Sequence, residues 1–364
     1  MIDMLRFLPR VFHPEGNPLQ FIFFITARCN LACRHCFYAE KLNRRDDELS
    51  LDEIAKVSRS MDRLLWFSMT GGEPFLREDI SRIAEIFYRN NKFRFLTITT
   101  NGLLRDAIVR TVPEICGRCG NAELLVSVSL DGLEETHNYI RRTSTGFTEA
   151  VETVRELKKL KKRFKNLNVA TVTTCTAENQ KELKELALFL KDEVRPDNII
   201  INMVRGKPRS GPLGEVDTRH YFDFIKVQEE GWSAGDLGYY DFFGSALIRK
   251  KESLQKEIIS TVFSENRYVI PCLAGRISCV MTETGDLYPC EILNKKIGNI
   301  RDARYDFNKL WYSDIADEIR RFIKDTRCYC TYECAITTNI LFNFKQLVKM
   351  LVASRSGRRG TDNG

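Results

Sequence analysis

Three cysteines stand close together in Cys29-Asn-Leu-Ala-Cys33-Arg-His-Cys36-Phe-Tyr38, at a C-x3-C-x2-C spacing. They follow an apolar, β-prone run, Phe21-Ile-Phe-Phe-Ile25. A loop leaving a strand can turn three thiolates toward one region. Three thiolates complete neither a tetrahedral zinc site nor a four-cysteine iron–sulfur cluster. They suit a cubane in which three irons carry protein ligands and the fourth stays open for a substrate or cofactor. The competing reading is three separate core or zinc-binding cysteines.

The elements around this loop follow from periodicity and punctuation. Phe21–Thr26 is predicted as the first strand. Residues 39–49 are polar and read as a mobile loop, and Ser50-Leu-Asp-Glu53 forms a capping box that opens a helix to about Ser60. Further strands are predicted at Leu64–Thr70, Phe93–Thr100, Leu124–Leu130, Asn168–Cys175 and Asn198–Val204, with helices at 79–90, 103–115, 134–140, 147–163 and 179–191. Such alternation implies a parallel sheet with right-handed crossovers. Functional residues then sit on loops at the carboxyl ends of strands. The cysteine loop, Gly71-Gly72-Glu73-Pro74, Asn101-Gly102 and Asp131-Gly132 all occupy that position, so they converge on one end of one sheet. Beyond it, residues 220–230 and 246–263 read as helices, and Ile277–Thr282 with Asp286–Ile292 as a hairpin turning at Gly285. A helix at about 314–325 and a last one over Thr338–Ala353 complete the pattern. Cys116 and Cys119 read as unused thiols in a surface connection, and Cys175 as a core cysteine.

Composition limits the function classes. The chain has 364 residues, 43% hydrophobic and 29% charged, with a net charge of +7. These values fit a globular α/β protein with a smaller second part. No apolar run reaches the roughly 18 residues of a membrane span, and the start is a poor signal peptide. Twelve cysteines without a secretion signal argue against a disulfide scaffold. The basic stretches Lys158–Lys165 and Arg355–Arg359 lack interleaved aromatics and read as solvated surface, not as a nucleic-acid face.

Together, the cysteine loop with its following aromatic and the Gly-Gly-Glu-Pro loop resemble the radical S-adenosylmethionine (radical SAM) superfamily over about residues 21–205. The resemblance implies a partial (β/α)6 TIM-like barrel and a [4Fe-4S] cluster on Cys29, Cys33 and Cys36. It also implies S-adenosylmethionine on the open iron, cleaved to a 5′-deoxyadenosyl radical. On that reading Glu73, followed by Pro74, accepts hydrogen bonds from the methionine ammonium, and Gly71 and Gly72 let the backbone approach the ligand. Ser129 and Arg141 hold the carboxylate, or Ser129 the ribose, with Arg142 competing with Arg141 for the inward position. Asn101 lines the site and Tyr38 lies beside the adenine.

Cys272, twelve residues, Gly285, four residues, Cys290 is similar to the opening of the SPASM and twitch modules, small cysteine-rich extensions that carry auxiliary clusters. This chain departs from the full SPASM pattern, with Cys328-Tyr-Cys330-Thr-Tyr-Glu-Cys334 in place of a longer cysteine series. Two four-cysteine clusters need eight ligands and six cysteines are present. One auxiliary [4Fe-4S] cluster is expected on Cys272, Cys290, Cys330 and Cys334, with Cys279 or Cys328 as replacements and structural zinc as the alternative.

The expected organisation is an N-terminal extension (1–20), the barrel (21–205), a helical bridge (206–270), the cluster module (271–336) and a C-terminal helix with a basic tail (337–364). The leading functional expectation is a cytoplasmic enzyme that abstracts hydrogen from an unactivated carbon, giving oxidation, epimerisation or carbon–sulfur bond formation. An external flavodoxin- or ferredoxin-type donor would supply electrons. The short stretch before the first strand tilts the substrate toward a sugar, a lipid-linked glycan or another small molecule. The alternative is a ribosomal peptide or protein maturase of the SPASM type. A reading from a different class is a non-catalytic iron–sulfur carrier or scaffold. Glu291 and Glu333 are acid/base candidates by proximity, with solvated neighbours the favoured reading. The apolar stripe Ile340–Val352, followed by Arg355, Arg358 and Arg359, could lie on an anionic bilayer; a helix packed on the barrel is the favoured reading.

Overall fold

The computed structural model describes residues 7–44, 47–211, 215–237 and 245–349. Six parallel strands form the frame: β1 Gln20–Thr26, β2 Trp66–Gly71, β3 Phe95–Thr100, β4 Glu123–Ser129, β5 Leu167–Cys175 and β6 Asn198–Met203. They pair in the order β6-β5-β4-β3-β2-β1. Side chains on a strand alternate between faces. On the outer face Phe21, Phe23, Phe67, Met69, Leu96, Ile98, Val126 and Val128 are buried, most of them completely. They share a core with residues of helices α1 Leu51–Arg59, α2 Ile80–Asn91, α3 Arg105–Arg118, α5 Gly146–Lys161 and α6 Leu183–Phe189. Each such side chain contributes about 1.5–3 kcal/mol by leaving water. The short helix α4 Glu134–Arg141 sits between β4 and α5 in the chain. On the inner face Ser68, Thr70, Thr97, Thr99, Ser127 and Ser129 line cavities. The expected partial (β/α)6 barrel with a cysteine-rich C-terminal part is the architecture observed.

The capping box is present. The Ser50 hydroxyl accepts from the Glu53 amide at 3.3 Å, and Glu53 accepts from the Ser50 amide at 2.8 Å. Glu53 also receives Arg301 at 2.8 Å and Tyr305 at 2.9 Å, which binds the C-terminal part to the barrel. The hairpin expected around Gly285 is β7 Ser278–Met281 with β8 Asp286–Tyr288, antiparallel. Gly285 is required there: its φ is +89° and a Cβ would stand 2.6 Å from Ile300. The hairpin does not form a separate sheet. Strand β7 pairs in parallel with β1, register Gln20–Ser278 to Phe23–Met281, and β9 Gly298–Asn299 follows β8. The nine strands are therefore one sheet, continuous across the expected boundary at 270/271.

Helices α7 Thr218–Ala234 and α8 Ser245–Glu265 match the two expected bridge helices, and α9 Phe307–Trp311 and α10 Asp314–Asp325 precede the last cysteines. Three expectations change. Cys116 and Cys119 are not in a surface connection but buried in the core, 2% and 1% exposed, while Cys175 is a core residue as expected. The polar segment 39–49 is tied down where it is described: Asn43 donates to the Cys29 carbonyl at 3.0 Å and accepts from its amide at 2.9 Å. The last helix begins earlier and stops sooner, as α11 Glu333–Leu341. Helical turns resume only at residue 344, so the apolar stripe is broken at Asn343. The part of that stripe beyond Lys349, and the basic tail, lie outside the described residues.

Candidate functional site

The cysteine loop leaves β1 and is clamped from the side by the loop that leaves β2. Gly72 donates to the Thr26 carbonyl and Glu73 to the Arg28 carbonyl, both at 2.8 Å. A Cβ on Gly71 would stand 2.2 Å from the Thr26 carbonyl oxygen, and one on Gly72 2.1 Å from that of Arg28. The glycines are thus required by close approach of the two loops to each other, a role that sequence alone assigned to ligand approach.

Glu73 does not line the cavity. It is fully buried, and its carboxylate accepts from the Phe75 amide at 3.1 Å, the Thr100 hydroxyl at 2.8 Å and the Asn101 amide at 2.7 Å. Burial pushes its pKa up, while the three donors favour the carboxylate. This geometry corrects the expected ammonium contact: Glu73 positions Asn101, and Pro74 starts the 3-10 turn Pro74–Leu76 behind it. Asn101 in turn donates to Asn30 of the cysteine loop at 2.7 Å.

Arg141, not Arg142, points inward. Arg142 is exposed and caps α4 with a left-handed backbone, φ +55°. Arg141 is 7% exposed, donates to Asp131 at 2.7 Å and comes within 4.0 Å of the Cys33 sulfur. Burial opposes ionisation of Asp131, yet Arg141, His35 and His137 hold its carboxyl down at about 2. The pair places a fixed guanidinium beside the thiols.

These groups converge on one cavity of about 260 Å3. Its walls include Cys29, Cys33, Cys36, Tyr38, Gly71, Gly72, Asn101, Ser129 and Arg141. Tyr38 packs on Phe24, ring centroids 4.6 Å apart, and donates to Glu283 at 2.5 Å. The opposite wall carries a cluster that the sequence argument underrated. Arg205 donates to Glu291 at 3.0 Å, lies 3.5 Å from Glu333 and stacks over Phe37 and Tyr332 at 5.0 and 4.5 Å. Glu291 and Glu333 are therefore largely buried wall groups, not solvated neighbours. Burial, only partly offset by Arg205, pushes Glu333 up to about 7. No local sequence signal marks Arg205, which follows β6 in an otherwise Gly- and Pro-rich segment.

The donor set suits a cluster. Among the described residues no group of three or more His, Cys, Asp or Glu is gathered as a single metal ion would need. The three thiols face a shared cavity, as ligands on different corners of a cubane do. Without iron, burial pushes Cys29 up to about 11; bound iron would hold it as thiolate.

The later cysteines divide into three. Cys328 and Cys330 raise the Cys272 thiol, and Cys290 and Cys328 raise Cys330, so these four lie in one region. Cys279 is fully buried in β7. Cys334 sits on the cavity wall beside Tyr332, Arg205 and Glu291.

Comparison with known proteins agrees with the geometry. Residues 23–190 match the Radical SAM superfamily model. The chain is 24% identical over 324 residues to the antilisterial bacteriocin subtilosin biosynthesis protein AlbA of Bacillus subtilis, covering 85% of this chain and 64% of AlbA. It is 35% identical over 138 residues to a probable GTP 3′,8-cyclase of Methanothermobacter thermautotrophicus, covering 35% of this chain and 42% of the cyclase. The chain thus spans less than two thirds of either relative. In fold it is similar to Streptococcus suis SuiB bound to S-adenosylmethionine, with TM-score 0.59, 17% identity and coverage of 88% of this chain and 72% of SuiB. It is also similar to anSMEcpe with bound AdoMet, with TM-score 0.57, 18% identity and coverage of 94% and 96%.

Proposed function

Because this chain carries a radical SAM superfamily domain over residues 23–190, we propose that it is a radical SAM enzyme acting on a peptide or protein side chain. The observation that carries the catalytic reading is the single cavity walled by Cys29, Cys33, Cys36, Gly71, Gly72, Asn101, Ser129 and Arg141. Bound there, a [4Fe-4S] cluster and S-adenosylmethionine would supply a 5′-deoxyadenosyl radical that takes a hydrogen atom from a substrate carbon. The three cysteines would hold the cluster. Arg141, kept charged and oriented by Asp131, is placed to bind the methionine carboxylate through its remaining donors. Ser129 offers a hydroxyl to the same ligand. Tyr38, fixed by Glu283, presents an aromatic face. Arg205, Glu291 and Glu333 form the substrate-facing wall, where Arg205 offsets part of the acids' charge. An external flavodoxin- or ferredoxin-type donor would deliver the electron.

Support for a peptide comes from the relatives. AlbA is a bacteriocin biosynthesis protein, SuiB has been solved with the precursor peptide SuiA, and anSMEcpe with the Cp18Cys peptide. The expectation of a sugar or lipid-linked glycan rested on the short stretch before β1, which decides nothing about substrate. For the auxiliary cluster we assign Cys272, Cys290, Cys328 and Cys330, because Cys328 and Cys330 each interact with both Cys272 and Cys290, whereas Cys334 lines the cavity.

The test is anaerobic reconstitution, reduction and addition of S-adenosylmethionine, with 5′-deoxyadenosine as the readout. The wild-type chain should form it and Cys33→Ala should not. A fully iron-loaded wild type that forms none contradicts the proposal.

A further inference from the structure

The barrel lumen is not filled. In closed α/β barrels the interior is packed with bulky branched side chains. Here a second cavity of about 240 Å3 reaches toward the amino-terminal ends of the strands, where Gln20, Trp66 and Phe95 begin β1, β2 and β3. It shares Ser68, Thr97, Thr99, Val172, Asn202, Glu333 and Cys334 with the cofactor cavity, so the two chambers adjoin along a mostly polar wall.

The far chamber is faced by α8, and α8 turns charge into it. Lys251, Glu252, Gln255 and Lys256 line the chamber and are only 7%, 8%, 7% and 8% exposed. A helix of this length normally turns apolar residues inward and charge outward. Buried ammonium groups are costly unless paired. Lys251 donates to Gln255 at 3.1 Å and Thr337 at 3.4 Å and lies 3.7 Å from Glu252. Lys256 donates to Gln228 and lies over the Trp232 ring at 4.9 Å. Two ammonium groups thus face the chamber with two lining carboxylates, Glu252 beside Lys251 and Glu333, which Arg205 already faces from the other cavity; Glu229, which accepts from Ser253, is not part of the lining. The Tyr221 hydroxyl is an independent sign. Tyr221 lines the same chamber, is 1% exposed, and its hydroxyl has no hydrogen-bond partner among the described residues. A buried hydroxyl left without a partner is destabilising, and a ligand acceptor would satisfy it. Burial pushes the Lys256 ammonium down to about 8, which a bound anion would reverse.

We propose that the lumen is a substrate channel and that Lys251, Lys256 and Tyr221, all lining its second chamber, bind a carboxylate of the substrate peptide, either its chain terminus or an acidic side chain. The carboxylate site is defined by these residues alone; its role in placing the reacting carbon rests on the radical SAM reading.

The test is calorimetric titration of the full, reconstituted chain with acetyl-Ala-Ala, its carboxamide, and acetyl-Glu carboxamide. A carboxylate probe should bind saturably and at least tenfold tighter than the neutral amide. Tighter binding of acetyl-Ala-Ala assigns the chain terminus, and tighter binding of acetyl-Glu carboxamide assigns a side chain. Tyr221→Phe should weaken the carboxylate probe severalfold, and the double variant Lys251→Met/Lys256→Met should erase the preference over amide. Should the double variant not fold, the acid-over-amide comparison on wild type still decides. Equal binding of acid and amide, or no binding of any probe, overturns the proposal. The 5′-deoxyadenosine assay on the same preparation separates the two failures. Product without carboxylate binding sinks only the channel, and carboxylate binding without product sinks only the radical reading.

Discussion

Replacing Glu73 by Gln separates two accounts of the Gly-Gly-Glu-Pro loop. In the structure both carboxylate oxygens are spent on protein donors: Phe75 and Thr100 on one, Asn101 on the other. Glutamine of the same shape keeps one acceptor oxygen. Its amide NH2 must then face either the Asn101 amide or the other two donors. The loss is at least one hydrogen bond to a charged group, about 1.5–3 kcal/mol, with a buried N–H left unmet. Relief from burying a charge returns part of that, leaving a net destabilisation of about 2 kcal/mol. For a domain of this size that is roughly 4–8 °C in Tm. The assay is thermal or urea unfolding of the iron-free chain, beside S-adenosylmethionine affinity of the reconstituted chain. The iron-free variant should already be destabilised. An iron-free variant as stable as wild type, with only cofactor affinity reduced, would refute the positioning role and restore Glu73 as a ligand contact.

Other perturbations follow from the same geometry. Gly72→Ala puts a Cβ 2.1 Å from the Arg28 carbonyl oxygen, so the cysteine loop must move; iron at the first cluster should fall by more than half while far-ultraviolet circular dichroism stays near wild type. Asp131→Asn should leave Arg141 charged and buried without its partner, costing about 3–5 kcal/mol. Its pH signature has a definite sign. The Asp131 carboxyl is lowered from 3.8 to about 2, a stabilisation of about 2 kcal/mol. That contribution is complete above the unfolded value and lost as pH falls through about 2, so urea unfolding between those values should steepen in wild type and flatten in the variant. Iron counting separates the ligand assignments: Cys328→Ala should lose about four irons per chain and Cys334→Ala none, and the reverse pattern would return Cys334 to the ligand set.

How much of this was legible in the sequence depends on how local the signal was. The strands, the capping box at Ser50 and the position of four loops at strand ends rest on neighbours within a few residues, and the structure has them. The inner hydroxyls at Ser68 and Thr70, Thr97 and Thr99, and Ser127 and Ser129 also repeat with period two, a pattern the motif-based reading passed over. What failed was nonlocal. Pairing of β1 with β7 joins segments more than 250 residues apart. The glycines of the second loop, besides lining the cavity, are pressed against another loop's carbonyls. Arg205 gains its meaning only beside Glu291 and Glu333. The expected last helix is interrupted after Leu341 and resumes at residue 344, although the apolar spacing runs on through the break.

The most direct measurement is electron paramagnetic resonance of a chain whose Cys272, Cys290, Cys328 and Cys330 are all replaced by alanine, reduced and then mixed with S-adenosylmethionine. On the proposed assignment, that chain would retain only the cluster on Cys29, Cys33 and Cys36. The expected result is one reduced [4Fe-4S] signal whose g values shift when S-adenosylmethionine is added, as ligation of an open iron requires. A reduced cluster signal that S-adenosylmethionine leaves unchanged would contradict the open-iron site on which the whole account rests.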